Sequence, residues 1–156
     1  MIRVYLIRHG LAEADGSLPA EARPLSSKGR RRVRRTASAF SRLCEDVDHY
    51  FTSPYVRAAQ TAEIVAAATG HDELRVLDEL RPEASPASIG RLLKTLGKLV
   101  GDGEGVVLVG HEPQLSRLAA RLAGVPALAL RFPKGRSRVS TSRACTTRRA
   151  PSHAGG

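Results

Sequence analysis

Three apolar runs in this chain end on residues that could handle a phosphoryl group. Ile2–Ile7 runs into Arg8-His9-Gly10, "DHYFTS" leads to Pro54 with Arg57 three residues on, and "GVVLVG" ends in His111. Two guanidinium groups can meet phosphoryl oxygens in bidentate fashion and offset their charge. One imidazole can attack phosphorus and carry the group as phosphohistidine, while the other hydrogen-bonds an equatorial oxygen. A helix opening at Pro54 would add backbone donors. Gly10, lacking Cβ, would let the backbone approach the phosphate. Other chemistries fit less well. The histidines have neither HxxxH nor HxH spacing, so a metal site is disfavoured. No GxxxxGK[ST] loop exists, and "GDGEG" at 101–105 precedes an apolar run instead of following one, which makes it a turn.

The elements that must position these residues follow from periodicity. Ile2–Ile7, "DHYFTS", "ELRVL" and "GVVLVG" read as four strands. Between them, Val33, Ala37, Phe40 and Cys44 form the stripe of a first helix capped by Ser26 or Ser27. "PYVRAAQTAEIVAAATG" reads as a second helix, with Ser53 as N-cap, Pro54 in the first position and Gly70 as its close. Ile89, Leu92, Leu93, Leu96 and Val100 mark a third helix, and Leu115, Leu118, Ala119 and Leu122 a fourth. Continuous apolar strands alternating with helices predict an α/β domain, its mainly parallel sheet covered on both faces. In such a sheet ligands bind at the carboxyl ends of the strands, where the arginines and histidines fall.

Charge and composition set bounds. The 156 residues suit one domain with an aliphatic core, being 42% hydrophobic but only 4% aromatic. All acidic residues precede Arg131, and from Arg131 onward there are seven basic residues and no acid. These account for +7 of the net +10, so the first 130 residues carry +3. The basic cluster from Arg30 to Arg35 lacks interleaved aromatics and reads as a solvated helix face, which argues against a nucleic-acid partner. No run approaches a membrane span or a signal peptide, and Cys44 and Cys145 lie far apart, so a cytoplasmic protein is expected.

"LIRHG", "SPYVRAAQTAEIV" and "VLVGHEPQLS", in this order and at about this separation, resemble the histidine phosphatase superfamily. "RHGLAE", "RPLSSKGRRR" and "GHEP", with no long insertion, resemble its small SixA-type phosphohistidine phosphatases. The resemblance covers roughly Met1–Pro133 and implies the three-layer α/β/α, phosphoglycerate mutase-like fold. It also implies that His9 is the phosphorylated nucleophile, that Arg8, Arg57 and His111 complete the phosphate pocket, and that Arg23 of "RPL" is a second-tier contact. No metal and no other cofactor are implied.

Larger relatives protonate an alkoxide leaving group with a carboxylate. Here Glu79 of "LDELRP" is the nearest candidate, with Glu13, Asp15 and Glu21 as alternatives, while Glu79 reads equally as a surface or capping charge. Imidazole, whose conjugate acid has a pKa of about 6.5, leaves readily from protonated phosphohistidine; a sugar alkoxide needs a proton donor. A phosphorylated protein such as a histidine phosphotransfer domain is therefore the favoured substrate, and a small phosphorylated metabolite the runner-up. A basic nucleic-acid-binding module is the reading from a different class. After "FPKG", where family members continue into closing strands, the chain turns to Arg, Ser and Thr. A domain at 1–133 followed by a disordered or altered tail at 134–156 is expected, and the sequence leaves open whether a closing strand is missing.

Overall fold

Strand β1 (Arg3–Arg8) is apolar on both sides because helices cover both. Tyr5 and Ile7 join one core with Val33, Ala37 and Phe40, whereas Val4 and Leu6 join the opposite core with Leu92, Leu96, Leu115 and Leu118. The computed structural model describes residues 1–44, 46–124 and 140–143. In it, α1 (Ser27–Leu43) and α2 (Val56–Ala68) supply the first core, and α3 (Pro86–Leu99) and α4 (Gln114–Ala123) the second. Between these layers lie β1, β2 (His49–Thr52), β3 (Arg75–Val76), β4 (Gly105–Gly110) and β5 (Ser140–Arg143), in the order β3-β2-β4-β1-β5. The predicted three-layer fold is thus the observed one. No described helix is long and apolar enough to cross a membrane.

The central strand is β4, buried throughout, with β1 and β2 parallel on either side. Arg8 lies opposite Gly110 and Thr52 opposite Val109, so three strands end level. Backbone bonds extend the pairing one residue further, from His9 N–H to Gly110 O (3.1 Å) and from Ser53 N–H to Val109 O (3.0 Å).

Helix α1 opens where Ser26 Oγ accepts the Gly29 N–H at 3.0 Å. It carries Lys28, Arg30, Arg31, Arg32, Arg34, Arg35 and Arg42 without one acid. Like charges one turn apart cost a few tenths of a kcal/mol per pair, roughly 0.2–0.5. Burying Phe40, Val33 and Ala37 outweighs that, at about 1.5–3 kcal/mol for each large side chain.

Three sequence expectations need correction. Helix α2 starts at Val56 behind an extended Tyr55, and Ser53 does not cap it. Ser53 instead continues the β2 ladder, and its Oγ accepts the Tyr55 N–H at 3.3 Å. Strand β3 is only two residues long and exposed; Leu74 and Leu77 beside it pack partly into opposite cores. Within the segment expected to lack regular structure, Ser140–Arg143 pairs antiparallel with β1 as β5. A sheet edge needs only backbone partners, so apolar alternation is no precondition. The other residues of 134–156, and the boundary at 133, lie outside the described residues.

Gly10 also has a different reason from the one expected. A Cβ there would come within 2.5 Å of Val33 Cγ2 and 2.9 Å of Leu25 Cδ2, so the missing side chain makes room for α1. Its N–H is already bound by Thr61 Oγ1 at 3.0 Å. Gly10→Ala is accordingly expected to destabilise the fold by about 1–3 kcal/mol through overpacking. An unchanged chemical-denaturation midpoint would refute that packing role.

Candidate active site

Because β1, β4 and β2 end side by side, the residues that follow them share one crevice. The His9 and His111 rings lie with centroids 4.7 Å apart, tilted by 52°. Arg57, in the first turn of α2, reaches across so that its Nε donates to His9 Nε2 at 3.3 Å. Arg8 stands opposite Gly110, near enough for its charge to act on both imidazoles. The structure therefore brings together all four residues that the sequence singled out at strand ends.

Each imidazole is oriented by a specific bond. His9 Nδ1 lies 2.7 Å from the Gly10 carbonyl, which can only accept, so Nδ1 carries the proton and Nε2 presents a lone pair. His111 is 2% exposed, with Nε2 2.9 Å from Ser53 Oγ. Ser53 Oγ accepts the Tyr55 N–H and, with a second lone pair and its own proton, can either accept from or donate to His111 Nε2. His111 Nδ1 is buried and has no hydrogen-bond partner among the described residues, so it is the ring nitrogen open to a ligand.

Burial, chiefly, pushes the His9 pKa down to about 4, and the Arg57 and Arg8 charges push the same way against the Gly10 hydrogen bond. His111 is pushed down to about 3, again chiefly by burial, then by His9, Arg57 and Arg8. Both rings are thus neutral near pH 7, and His9 keeps its lone pair.

A supporting layer was not legible as such in the sequence. The Tyr55 ring meets His111 edge-on at 4.9 Å, the Arg57 guanidinium lies 4.8 Å from its centroid, and its hydroxyl donates to Glu83 Oε2 at 3.0 Å. Burial and then Glu83 push the Tyr55 pKa up, so the phenol keeps that proton. Thr61 Oγ1 donates to the Arg57 carbonyl at 2.7 Å while accepting from Gly10 N–H, tying α2 to the end of β1. One signal did exist: Ser53 and Tyr55 flank the β2 end, and Thr61 lies one turn beyond Arg57.

The first loop wraps the crevice. Arg57 Nη1 donates to the Ala20 carbonyl, and Arg23 Nε to the Leu18 carbonyl at 3.1 Å. Arg23 lies near enough to Arg57 for its charge to lower the Arg57 pKa behind burial, a second-tier position. The carboxylates are less engaged. Asp15 caps the Ser17 N–H, and Glu13 and Glu21 are exposed. Glu79 is half-buried in a 3-10 turn, Asp78–Leu80; its backbone carbonyl accepts from Gln114 Nε2 at 3.4 Å. Its carboxylate makes no hydrogen bond or ion pair among the described residues. Glu83, which the sequence reading passed over, is the carboxylate that touches the supporting layer. Among the described residues no cluster of three His, Cys, Asp or Glu could hold a metal.

The fold is α/β and phosphoglycerate mutase-like, and the comparisons with known proteins make the chain a phosphatase. The chain belongs to the histidine phosphatase superfamily, whose branch 1 model matches residues 4–85. It is 37% identical over 125 residues to an uncharacterized protein of Picosynechococcus sp., covering 78% of this chain and 73% of the relative. To the phosphohistidine phosphatase SixA of Escherichia coli it is 30% identical, covering 78% and 74%. Among solved structures it is similar to the protein histidine phosphatase SixA complexed with tungstate (TM-score 0.71, 24% identity, 88% of this chain and 94% of that one). It is also similar in fold to a mycobacterial glucosyl-3-phosphoglycerate phosphatase complexed with VO3 (TM-score 0.69, 18% identity, 92% and 99%).

The depressed imidazole pKa values have a measurable consequence. Between pH 6.5 and about 4 the unfolded chain binds protons at these two positions that the folded chain refuses. Stability is therefore expected to fall as the pH drops through that window. NMR titration of the ring signals should place both midpoints well below 6.5; a midpoint at or above that value for either ring would contradict this description.

Proposed function

We propose that this phosphatase cleaves protein-borne phosphohistidine, with His9 carrying the phosphoryl group between two displacements. The observation that supports this most directly is the pairing of His9 Nδ1–H with the Gly10 carbonyl, which aims an unprotonated Nε2 at the crevice beside Arg57. In the first step the His9 Nε2 lone pair forms a bond to phosphorus as the bond to the substrate imidazole breaks, and that imidazole leaves neutral. In the second, water attacks phosphorus, the His9–phosphorus bond breaks, the water proton passes to solvent, and inorganic phosphate departs. Arg8 and Arg57 offset the charge on the equatorial oxygens, and His111, in the tautomer in which Ser53 donates to its Nε2, donates to one of them from Nδ1. Arg23 acts at one remove by holding the loop whose Ala20 carbonyl orients Arg57.

Two observations support phosphohistidine over an alkoxide-releasing ester. No described carboxylate bonds to His9, Arg57 or His111, so no proton donor stands ready for a poor leaving group. The E. coli relative at 30% identity is named for phosphohistidine. A small-molecule phosphomonoesterase is the second reading, favoured by the unpaired carboxylate of half-buried Glu79.

Incubation with a phosphohistidine-bearing protein and a panel of phosphomonoesters, alongside His9→Ala and Glu79→Gln, tests both. His9→Ala is expected to lower phosphate release by about 10³-fold or more; equal release would overturn the mechanism. Glu79→Gln should leave phosphohistidine turnover within about twofold. A fast wild-type phosphomonoester reaction, lowered by Glu79→Gln about 10²-fold, would favour the second reading instead.

Tyr55 is a positioning residue on this scheme. Tyr55→Leu, which removes the ring against Arg57 and His111, should lower kcat/KM about tenfold, whereas Tyr55→Phe should stay within about threefold. Equal losses would shift the role from the ring to the Glu83 hydrogen bond.

A further inference from the structure

We propose that the N-terminal half of α1 and the loop before it form a docking surface for an acidic protein that bears the phosphorylated side chain. The proposal rests on the protein-phosphohistidine reading above, and adds where and how such a protein binds.

Lys28, Arg31, Arg34 and Arg35 are exposed, and none has an ion-pair partner among the described residues. With no acid anywhere on α1, the like-charge repulsion along it is not relieved from within the helix. Lys28, Arg31 and Arg35 recur at i, i+3 and i+7 and so lie along one side of it.

The helix begins at the rim of the crevice. Gly29 packs so tightly on Leu11 that a Cβ would come within 2.0 Å of the Leu11 carbonyl oxygen, and Leu11 is two residues from His9. Two exposed leucines accompany these cations. Leu11 is 45% and Leu18 38% exposed, although the backbone carbonyl of each is hydrogen-bonded. The Leu11 carbonyl accepts from Ser26 N–H at 2.9 Å, and the Leu18 carbonyl is held by Arg23. A phosphoryl group at His9 would thus be flanked by a cationic stripe and two apolar side chains.

That combination selects among anionic partners. Tyr5, Phe40, Tyr50, Phe51 and Tyr55 are all buried, so the described surface offers no stacking platform for single-stranded nucleic acid. The apolar stripe of α1 (Val33, Ala37, Phe40) is inside the core, so the helix has no face to insert into a membrane. An acidic protein surface with apolar side chains around its phosphorylated histidine matches both halves. The cations would raise its rate of encounter, and the leucines would be covered on contact.

The test uses the full chain and two substrates: an acidic phosphotransfer domain phosphorylated on histidine, and phosphohistidine in a short uncharged peptide. For the triple charge reversal Lys28→Glu, Arg31→Glu and Arg35→Glu, kcat/KM on the domain should fall at least tenfold, while the peptide rate stays within twofold. Added salt should slow the wild type on the domain only. The charge-preserving double variant Arg31→Lys, Arg35→Lys should behave as wild type. Equal losses on both substrates, or no loss on the domain, would overturn the docking surface. Should the wild type turn over neither substrate, the phosphohistidine reading fails, and the docking surface is judged by titrating the unphosphorylated domain. Binding abolished by the charge reversal supports it, and no binding overturns it. Tighter charge-dependent binding to duplex DNA or to phosphatidylserine vesicles would assign the surface to another partner and overturn the proposal.

Discussion

The parallel pairing of β4 with β1 on one side and β2 on the other is the constraint on which the rest depends. It brings three chain segments, far apart in sequence, to a common edge, and the backbone bonds from His9 to Gly110 and from Ser53 to Val109 carry the register one residue past the strands. A one-residue slip of β1 would turn its apolar side chains to the opposite faces and displace His9 from His111. Since Val4 and Leu6 belong to one core, and Tyr5 and Ile7 to the other, such a slip would exchange the residues of two differently filled cores. Packing therefore protects the register, and the register makes the crevice.

The electrostatics of the crevice come from the same burial. Two neutral imidazoles beside two guanidinium groups form a cationic pocket in which the histidines add no further repulsion. Burial chiefly suppresses protonation of both rings, with Arg57 and Arg8 acting the same way and His9 adding to the effect on His111. An incoming phosphoryl group would offset the two guanidinium charges. Tyr55 contributes without carrying charge: its ring spans Arg57 and His111, and its hydroxyl anchors on Glu83. Thr61 fastens α2 to Gly10 from beneath, so Arg57 and His9 are set by one local network.

The family match and the crevice overlap only in part. The matched stretch, residues 4–85, includes β1 and α2, which carry Arg8, His9 and Arg57, and stops short of β4 and His111. The crevice closes only when β4 lies between the other two strands, so His111 enters through topology. The basic helix α1 begins beside that crevice, which gives an otherwise costly run of cations a place where it can act.

Read alone, the sequence determined the alternation of strands and helices, the two-sided cover of the sheet and the four strand-end residues that meet in the crevice. Buried strands and amphipathic helices write their burial directly into residue type. "GVVLVG" is buried throughout, and Val33, Ala37 and Phe40 face inward as their spacing requires. What the sequence could not decide were contacts whose meaning lies in a distant partner. Gly10 looked like clearance for a ligand and is clearance for Val33 and Leu25. Ser53 looked like a helix cap, yet its hydroxyl is engaged by His111. Glu79 looked like the acid nearest the chemistry, whereas Glu83 reaches the supporting layer through Tyr55. Strand β5 had no apolar signal, because an edge strand is recruited by the open backbone of β1. Periodicity reports how deeply a residue is buried; only the folded chain decides against whom.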